Sequence, residues 1–408
     1  MSAPRYRALL LACVGLNAWA GDFLPTTSEA IAAIDALPSV QAALARERAA
    51  AARGEALSRS PYGMELTIMP LARHETRGTT YGEVESMLTR RLRLPGKARI
   101  DDQLAASGNE LALAAVGDAR HEGARLLLER YLAWVQAANT VSLAERQRAT
   151  LEEEQRAIAR RVALGDLPAL DEQRAAAATA AAEVAVERAR LEREQARLAL
   201  ALQFPQLELP AAAPEIPPPS TALPAEEAAV ARIREHSHEL EMAQLAARRQ
   251  GYAAARAEAE KHPDPTVGVR VLSEGRGNEQ AVGVVVSIPF AASGTSATAR
   301  AEHALTDAID TEASGAGQRV DLEARQLLSS LPVRIAAWQA AVRTADLTDA
   351  ALVKVQRAWQ LGEAGFADLA AARRAAFDAR AAELTLRVDV HGIRARIEID
   401  SHERWATE

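Results

Sequence analysis

The stretch Glu83-Val84-Glu85-Ser86-Met87-Leu88-Thr89-Arg90-Arg91-Leu92-Arg93-Leu94-Pro95-Gly96-Lys97 decides how the chain is read. Val84, Leu88, Leu92 and Leu94 share one parity with Ser86 and Arg90; Glu83, Glu85, Thr89, Arg91 and Arg93 share the other. Period two sends the two sets to opposite faces of a β-strand, one mostly apolar. A second such strand places Val282, Val284, Val286 and Ile288 opposite Ala281, Gly283, Val285 and Ser287, just before Pro289-Phe290. Each is preceded by a less regular partner, Met64, Leu66, Ile68 and Val267, Val269, Val271. Arg77-Gly78 and Arg276-Gly277 then close two predicted hairpins.

Outward from these strands the chain repeats itself. Pro61 is echoed by Pro263, Arg77-Gly78 by Arg276-Gly277, Pro95 by Pro289 and Leu164-Gly165 by Leu361-Gly362, at offsets of 194 to 202 residues. Because the repeat holds both strands and helices, it is one architectural unit used twice. The pattern divides the chain into a leader (1–20), a first repeat (21–203), a connector (204–224) and a second repeat (225–408). The connector carries seven prolines and reads as extended chain along the outside.

From Ile100 to Leu164 there are 65 residues without proline, and from Ala297 to Leu361 another 65 with only Pro332. Each predicts a helix of roughly 100 Å. Shorter helices are expected at 28–59, 169–203, 226–261 and 367–400, and each short pair matches its long partner end to end. Leu128, Leu132 and Val135 form one apolar stripe; Val184, Leu191 and Leu198 recur every seven residues, as in coiled-coil packing.

Composition excludes several classes. Aromatics are 4%, too few for a compact core of large side chains, and a net charge of −7 is wrong for a nucleic-acid surface. Arg5 and Arg7, the apolar run Ala8 to Val14 and Ala18-Trp19-Ala20 make an export leader cleaved before Gly21. The single cysteine, Cys13, lies in that leader, so the mature chain has no thiol, disulfide or cysteine-bound metal; lipidation at Cys13 is the lesser reading of the same segment. No nucleophile elbow, phosphate loop or metalloenzyme helix occurs, and no catalytic residue, cofactor or bound metal is expected. His236 and His238, two apart on one expected helix, would point different ways.

Beyond the leader no apolar run is long enough for a helical span, so the mature chain could cross a bilayer only as β-strands. Four strands cannot close an open-lumen barrel, and lipid tolerates no free edge; several subunits must share one barrel. The strands alone equally suit two hairpins of a soluble α+β protein.

With these features the chain resembles the TolC-like outer-membrane efflux factors over essentially its whole mature length. Leu37-Pro38-Ser39-Val40-Gln41 resembles the family's repeat opening, with Ser237-His238-Glu239-Leu240 in its place in the second half. Ile288-Pro289-Phe290 resembles the exit from the last strand. Leu164-Gly165 with Asp171, and Leu361-Gly362 with Asp368, resemble the hairpin tips. Leu94-Pro95-Gly96-Lys97 is similar to the heavy-metal branch, whereas Phe290-Ala291-Ala292-Ser293-Gly294 departs from it.

The resemblance implies a mainly α fold with a small β part: a homotrimer whose four strands per chain make a 12-stranded outer-membrane barrel, continued by a helical periplasmic barrel. It implies a passive efflux duct partnered by a periplasmic adaptor and an inner-membrane RND-type pump, carrying heavy-metal cations or, alternatively, drugs and other small molecules. Leu164, Gly165, Leu361 and Gly362 would form the adaptor-docking tips. Asp166, Asp171, Glu363 and Asp368 would ring the periplasmic gate, although Asp171 and Asp368 also suit helix starts. The rival classes are a periplasmic adaptor and a coiled-coil scaffold; the first usually has one helical hairpin, and the second leaves the strands unexplained.

Overall fold

The computed structural model describes residues 23–74, 76, 78–290 and 294–406. The leader at 1–20 with Cys13, Arg77 of the first turn and residues 291–293 lie outside the described residues. The first half runs α1 (Thr27–Asp35), α2 (Pro38–Ser58), β1 (Met64–His74), β2 (Thr80–Arg91), α3 (Pro95–Ala163) and α4 (Ala169–Gln203). The second runs α5 (Glu226–Glu235), α6 (His238–Ala259), β3 (Thr266–Glu274), β4 (Glu279–Ser287), α7 (Thr295–Gln360) and α8 (Phe366–Asp400) in the same order.

The 69-residue α3 begins at Pro95, whose fixed φ and missing N–H suit the first helical position. It packs against its returning partner α4, and against α2, α6 and α8. The 66-residue α7 pairs with α8 in the same way and runs through Pro332 unbroken. The expected 169–203 helix is α4, residue for residue within one position, and α8 starts one residue before expectation.

Two expectations need correction. The helices expected at 28–59 and 226–261 are each broken in two. Leu37 is extended (φ −60°, ψ 137°), as the Cδ of the following proline demands. In the second half Ser237 is extended and accepts from the Leu240 N–H at 3.2 Å, capping a new helix.

The main core lies at the level of these breaks. Ile34, Leu127, Val135, Leu200, Phe204 and Ile216 are fully buried there. The proline-rich connector forms neither helix nor strand, and Phe204 and Ile216 anchor it in that core. Side chains of α8 also grip its carbonyls: Arg387 Nη1 donates to Ile216 O and His391 Nε2 to Pro217 O, both at 2.8 Å.

Candidate functional site

Three regions carry the predicted function, beginning with the sheet. Its four strands pair antiparallel in the order β1-β2-β3-β4, leaving β1 and β4 as edges. Register lines up Leu66 with Leu88, Leu88 with Val269 and Val269 with Val284, so the apolar parity of every strand falls on one face. That face is bare: Met64, Leu66, Ile68, Val282 and Val286 are all exposed, and Val284 is 81% exposed. The opposite face is mostly polar, with Met69, Leu71, Met87 and Leu272 interspersed, and its charges are internally paired. Arg73 Nε meets Glu83 at 2.8 Å and Arg270 Nε meets Glu85 at 2.6 Å, which buries both carboxylates. At the β2–β3 seam Gly268 is required, because a Cβ there would stand 2.4 Å from Leu88 O.

The second region is the strand exit at Leu94, Pro95, Gly96 and Lys97. Lys97 is 1% exposed, with Nζ 3.2 Å from both Glu260 and Asp264. Asp264, fully buried, also accepts from the Leu94 N–H at 3.1 Å and the Tyr62 hydroxyl at 3.0 Å. Burial alone would raise the Asp264 carboxyl, but the Leu94 amide, Lys97 and Tyr62 outweigh it and hold it below the usual carboxylate range. One turn on, Asp101 accepts from Arg93 at 2.9 Å and Arg256 at 2.7 Å. The motif therefore clamps the start of α3, where the first half leaves the sheet, to the end of α6, where the second half enters it. Its acidic partners lie more than 150 residues away, beyond any local pattern.

The third region is the pair of hairpin tips. Gly165 (φ 80°) and Gly362 (φ 78°) take the left-handed conformation that L-residues resist. Around each, the helix end is tied off identically. Gly165 N–H bonds Val162 O at 2.9 Å and Asp166 N–H bonds Arg161 O at 2.9 Å; Gly362 bonds Trp359 O at 3.1 Å and Glu363 bonds Ala358 O at 2.8 Å. This is the Schellman arrangement. Ile158, Phe366, Leu369 and Trp359 pack the two tips together, leaving Leu164 and Leu361 exposed at 77% and 57%.

The four tip acids divide into two kinds. Asp171 and Asp368 each occupy the third residue of a returning helix, where the dipole favours an anion, and Asp368 accepts from the Gly365 N–H at 3.1 Å. Asp166 and Glu363 are exposed and sit just past a helix C-terminus, where an anion is disfavoured. Local helix chemistry accounts for the first pair only. Further up, Arg373 of α8 reaches Glu154 of α3 in a buried ion pair that ties the hairpins together, a contact with no sequence signature.

His236 and His238 do not share a helix: the first closes α5 and the second opens α6. Both rings turn toward His402, with centroids 4.7 and 5.2 Å away. Among the described residues, no group of three or more His, Cys, Asp or Glu is arranged to hold a metal ion, and no helix is long and apolar enough to cross a membrane.

No protein-family model and no curated protein matches the chain in sequence. Its fold nevertheless matches solved outer-membrane channels. The outer-membrane channel OprN superposes with a TM-score of 0.78 at 20% identity, over 93% of this chain and 91% of that one. The Campylobacter jejuni CmeC outer membrane channel gives 0.74 at 12% identity, over 100% and 95%. CusC, described through its folding and transmembrane channel formation, gives 0.66 at 15%, over 98% and 99%. The chain thus has the fold of outer-membrane channels, as its TolC-like resemblance led one to expect.

Proposed function

We propose that the chain is the outer-membrane duct of a tripartite efflux system, a passive channel and not a catalyst. The carrying observation is the sheet: one continuous bare apolar face, one ion-paired polar face and two open edges. A single copy cannot satisfy those edges in lipid. Three copies of four strands close a twelve-stranded barrel with the valine face toward acyl chains and the Glu–Arg face toward water. The exposed stripe Val184, Leu191, Leu198 on α4, and exposed Val333 and Leu347 on α7, support helix packing between copies below it. In this reading 21–203 and 225–408 are an internal duplication, an export leader precedes them, and the tips at Leu164, Gly165, Leu361 and Gly362 dock a periplasmic adaptor working with an inner-membrane RND-type pump.

For cargo we propose heavy-metal cations. Asp166 and Glu363, the acids that local structure leaves unexplained, would recur around a three-fold axis as a negative constriction. The burial of Lys97 favours the second reading, drugs or other small molecules, because the Pro-Gly-Lys motif then marks a structural clamp and no cation contact.

Membrane fractionation tests the duct. Recovery from the outer membrane only with detergent, as a heat-dissociable trimer, is expected; a soluble periplasmic monomer would refute it. Growth of a deletion strain on graded zinc, cobalt, nickel, copper and silver, beside a drug panel, tests the cargo. Unchanged metal tolerance with raised drug sensitivity would replace the cation reading by the second.

A further inference from the structure

Four imidazoles meet where the short helices break. His121 comes from α3, His236 from the end of α5, His238 from the start of α6 and His402 from just beyond α8. His402 lies flat against His236, 17° from parallel with centroids 4.7 Å apart, and His238 and His121 stand 5.2 and 5.8 Å away. Gly117 on α3 makes the room: a Cβ there would sit 2.5 Å from His238 Cε1. The near-parallel His236–His402 pair sets two ring faces together instead of aiming nitrogens at one point, and among the described residues no group of three or more is arranged to hold a metal ion.

The backbone marks the same residue, one of three non-glycine residues with positive φ among the described residues, Trp405 in the same segment being another. After α8, His402 N–H bonds Ile399 O at 3.0 Å and Glu403 N–H bonds Glu398 O at 2.7 Å, the pattern of both hairpin tips. At the tips its left-handed position is glycine; here it is a histidine at φ 56°. A strained conformation kept for a particular side chain points to what that side chain does. The segment it starts is held down by buried Trp405, whose Nε1–H donates to Pro25 O at 3.0 Å.

We propose that the stack is a proton-operated latch, in which mild acid charges His402 and releases residues 401–406 from α3 and the α5–α6 junction. The surrounding charges are largely committed. On α8, Asp400 accepts from His121 Nε2 (3.1 Å), Arg125 Nε (2.9 Å) and Arg396 Nε (2.8 Å). On the segment itself Glu403 pairs with Arg232 of α5, and Arg404 with Glu398. Arg120 of α3 pairs with Asp35 of α1, and Arg234 of α5 with Asp321 of α7. Glu241 of α6 faces His238 at 3.4 Å, and Asp118 and Glu122 of α3 line the adjoining cavity. Burial, then the neighbouring imidazoles His238, His236 and His121, depress His402 to about 4. A group depressed on folding binds fewer protons latched than released, so the latch holds above about pH 6.5 and weakens from there toward pH 4. Asp400, held at about 2, stays ionised across that window and masks nothing.

The test is hydrogen exchange of peptides spanning 398–406 in the full-length, chelator-treated protein in detergent, corrected for intrinsic exchange. The opening equilibrium is expected to rise about twentyfold between pH 7 and pH 5. It should be flat in His402→Gln and reduced in slope in His236→Gln, which also serves if the first variant folds poorly. Equal pH dependence in wild type and both variants would overturn the latch. So would saturable protection by added zinc with no pH dependence in its absence, which would make the cluster a cation site. The duct reading stands or falls independently of either result.

Discussion

The sheet and the hairpin tips finish the molecule at opposite ends by opposite means. The sheet turns its valines outward and pairs Glu83 and Glu85 with arginines on the other face. The tips bury Phe366 and Leu369 between them and leave two acids and two leucines outside. In water the first is an aggregation hazard, a long apolar sheet with two free edges. The second is an ordinary soluble surface with two apolar knobs. On the proposed reading the difference reflects two solvents, hydrocarbon at one end and an aqueous partner at the other.

Substitutions at the two ends, and at the clamp beside the sheet, should therefore fail differently. Lys97→Ala strands the buried Asp264 carboxylate, and loss of one member of a buried pair costs about 3–5 kcal/mol. The sharpest drop in thermal stability of the assembled protein is expected here. Next, Val284→Lys puts a charge on the proposed lipid face, where mid-bilayer lysine costs about 2–4 kcal/mol per chain. Membrane recovery should collapse, while the same change at Leu361 leaves it intact. Normal membrane recovery of Val284→Lys would mean that the sheet is wet. Gly362→Val tests the tip turn alone: a Cβ meets nothing within 4 Å, so the expected loss is only the roughly 1–2 kcal/mol of a left-handed L-residue. Leu361→Ala should be the gentlest, within about 0.5 kcal/mol in stability. Its effect belongs in co-purification with an adaptor; unaltered capture would remove the knob from the docking surface.

The two ends also differ in how far sequence exposed them. Alternation in 281–288 and the Gly165 and Gly362 turns are local patterns, one of period two and one of a helix stopped by glycine. They were legible to within a residue or two. So was the placement of Asp171 and Asp368 at helix starts, since each follows its glycine by six residues. The breaks at Leu37 and Ser237 were not, although Pro38 and a capping serine stood there. Alanine-rich flanks with helical periodicity masked breaks that appear only in the packing, of α1 and α2 against α3 and of α5 and α6 against α7. The Lys97 clamp was legible only as a motif. Its partners Glu260 and Asp264 are near it in space because β2 pairs β3, and no property of residues 94–97 announces that seam. The histidine stack was hidden for the same reason: its four rings arrive from three distant parts of the chain.

Closure of the sheet across copies is the claim on which the account rests, and cysteine pairs across the β1 and β4 edges test it most directly. The mature sequence has no competing thiol if the leader containing Cys13 is removed. One cysteine scanned through 65–71 and another through 280–286, oxidised in intact outer membranes, should give a covalent trimer ladder at one register. Ladder-free chains at every register, with β1 and β4 still edges of one sheet, would contradict the shared barrel.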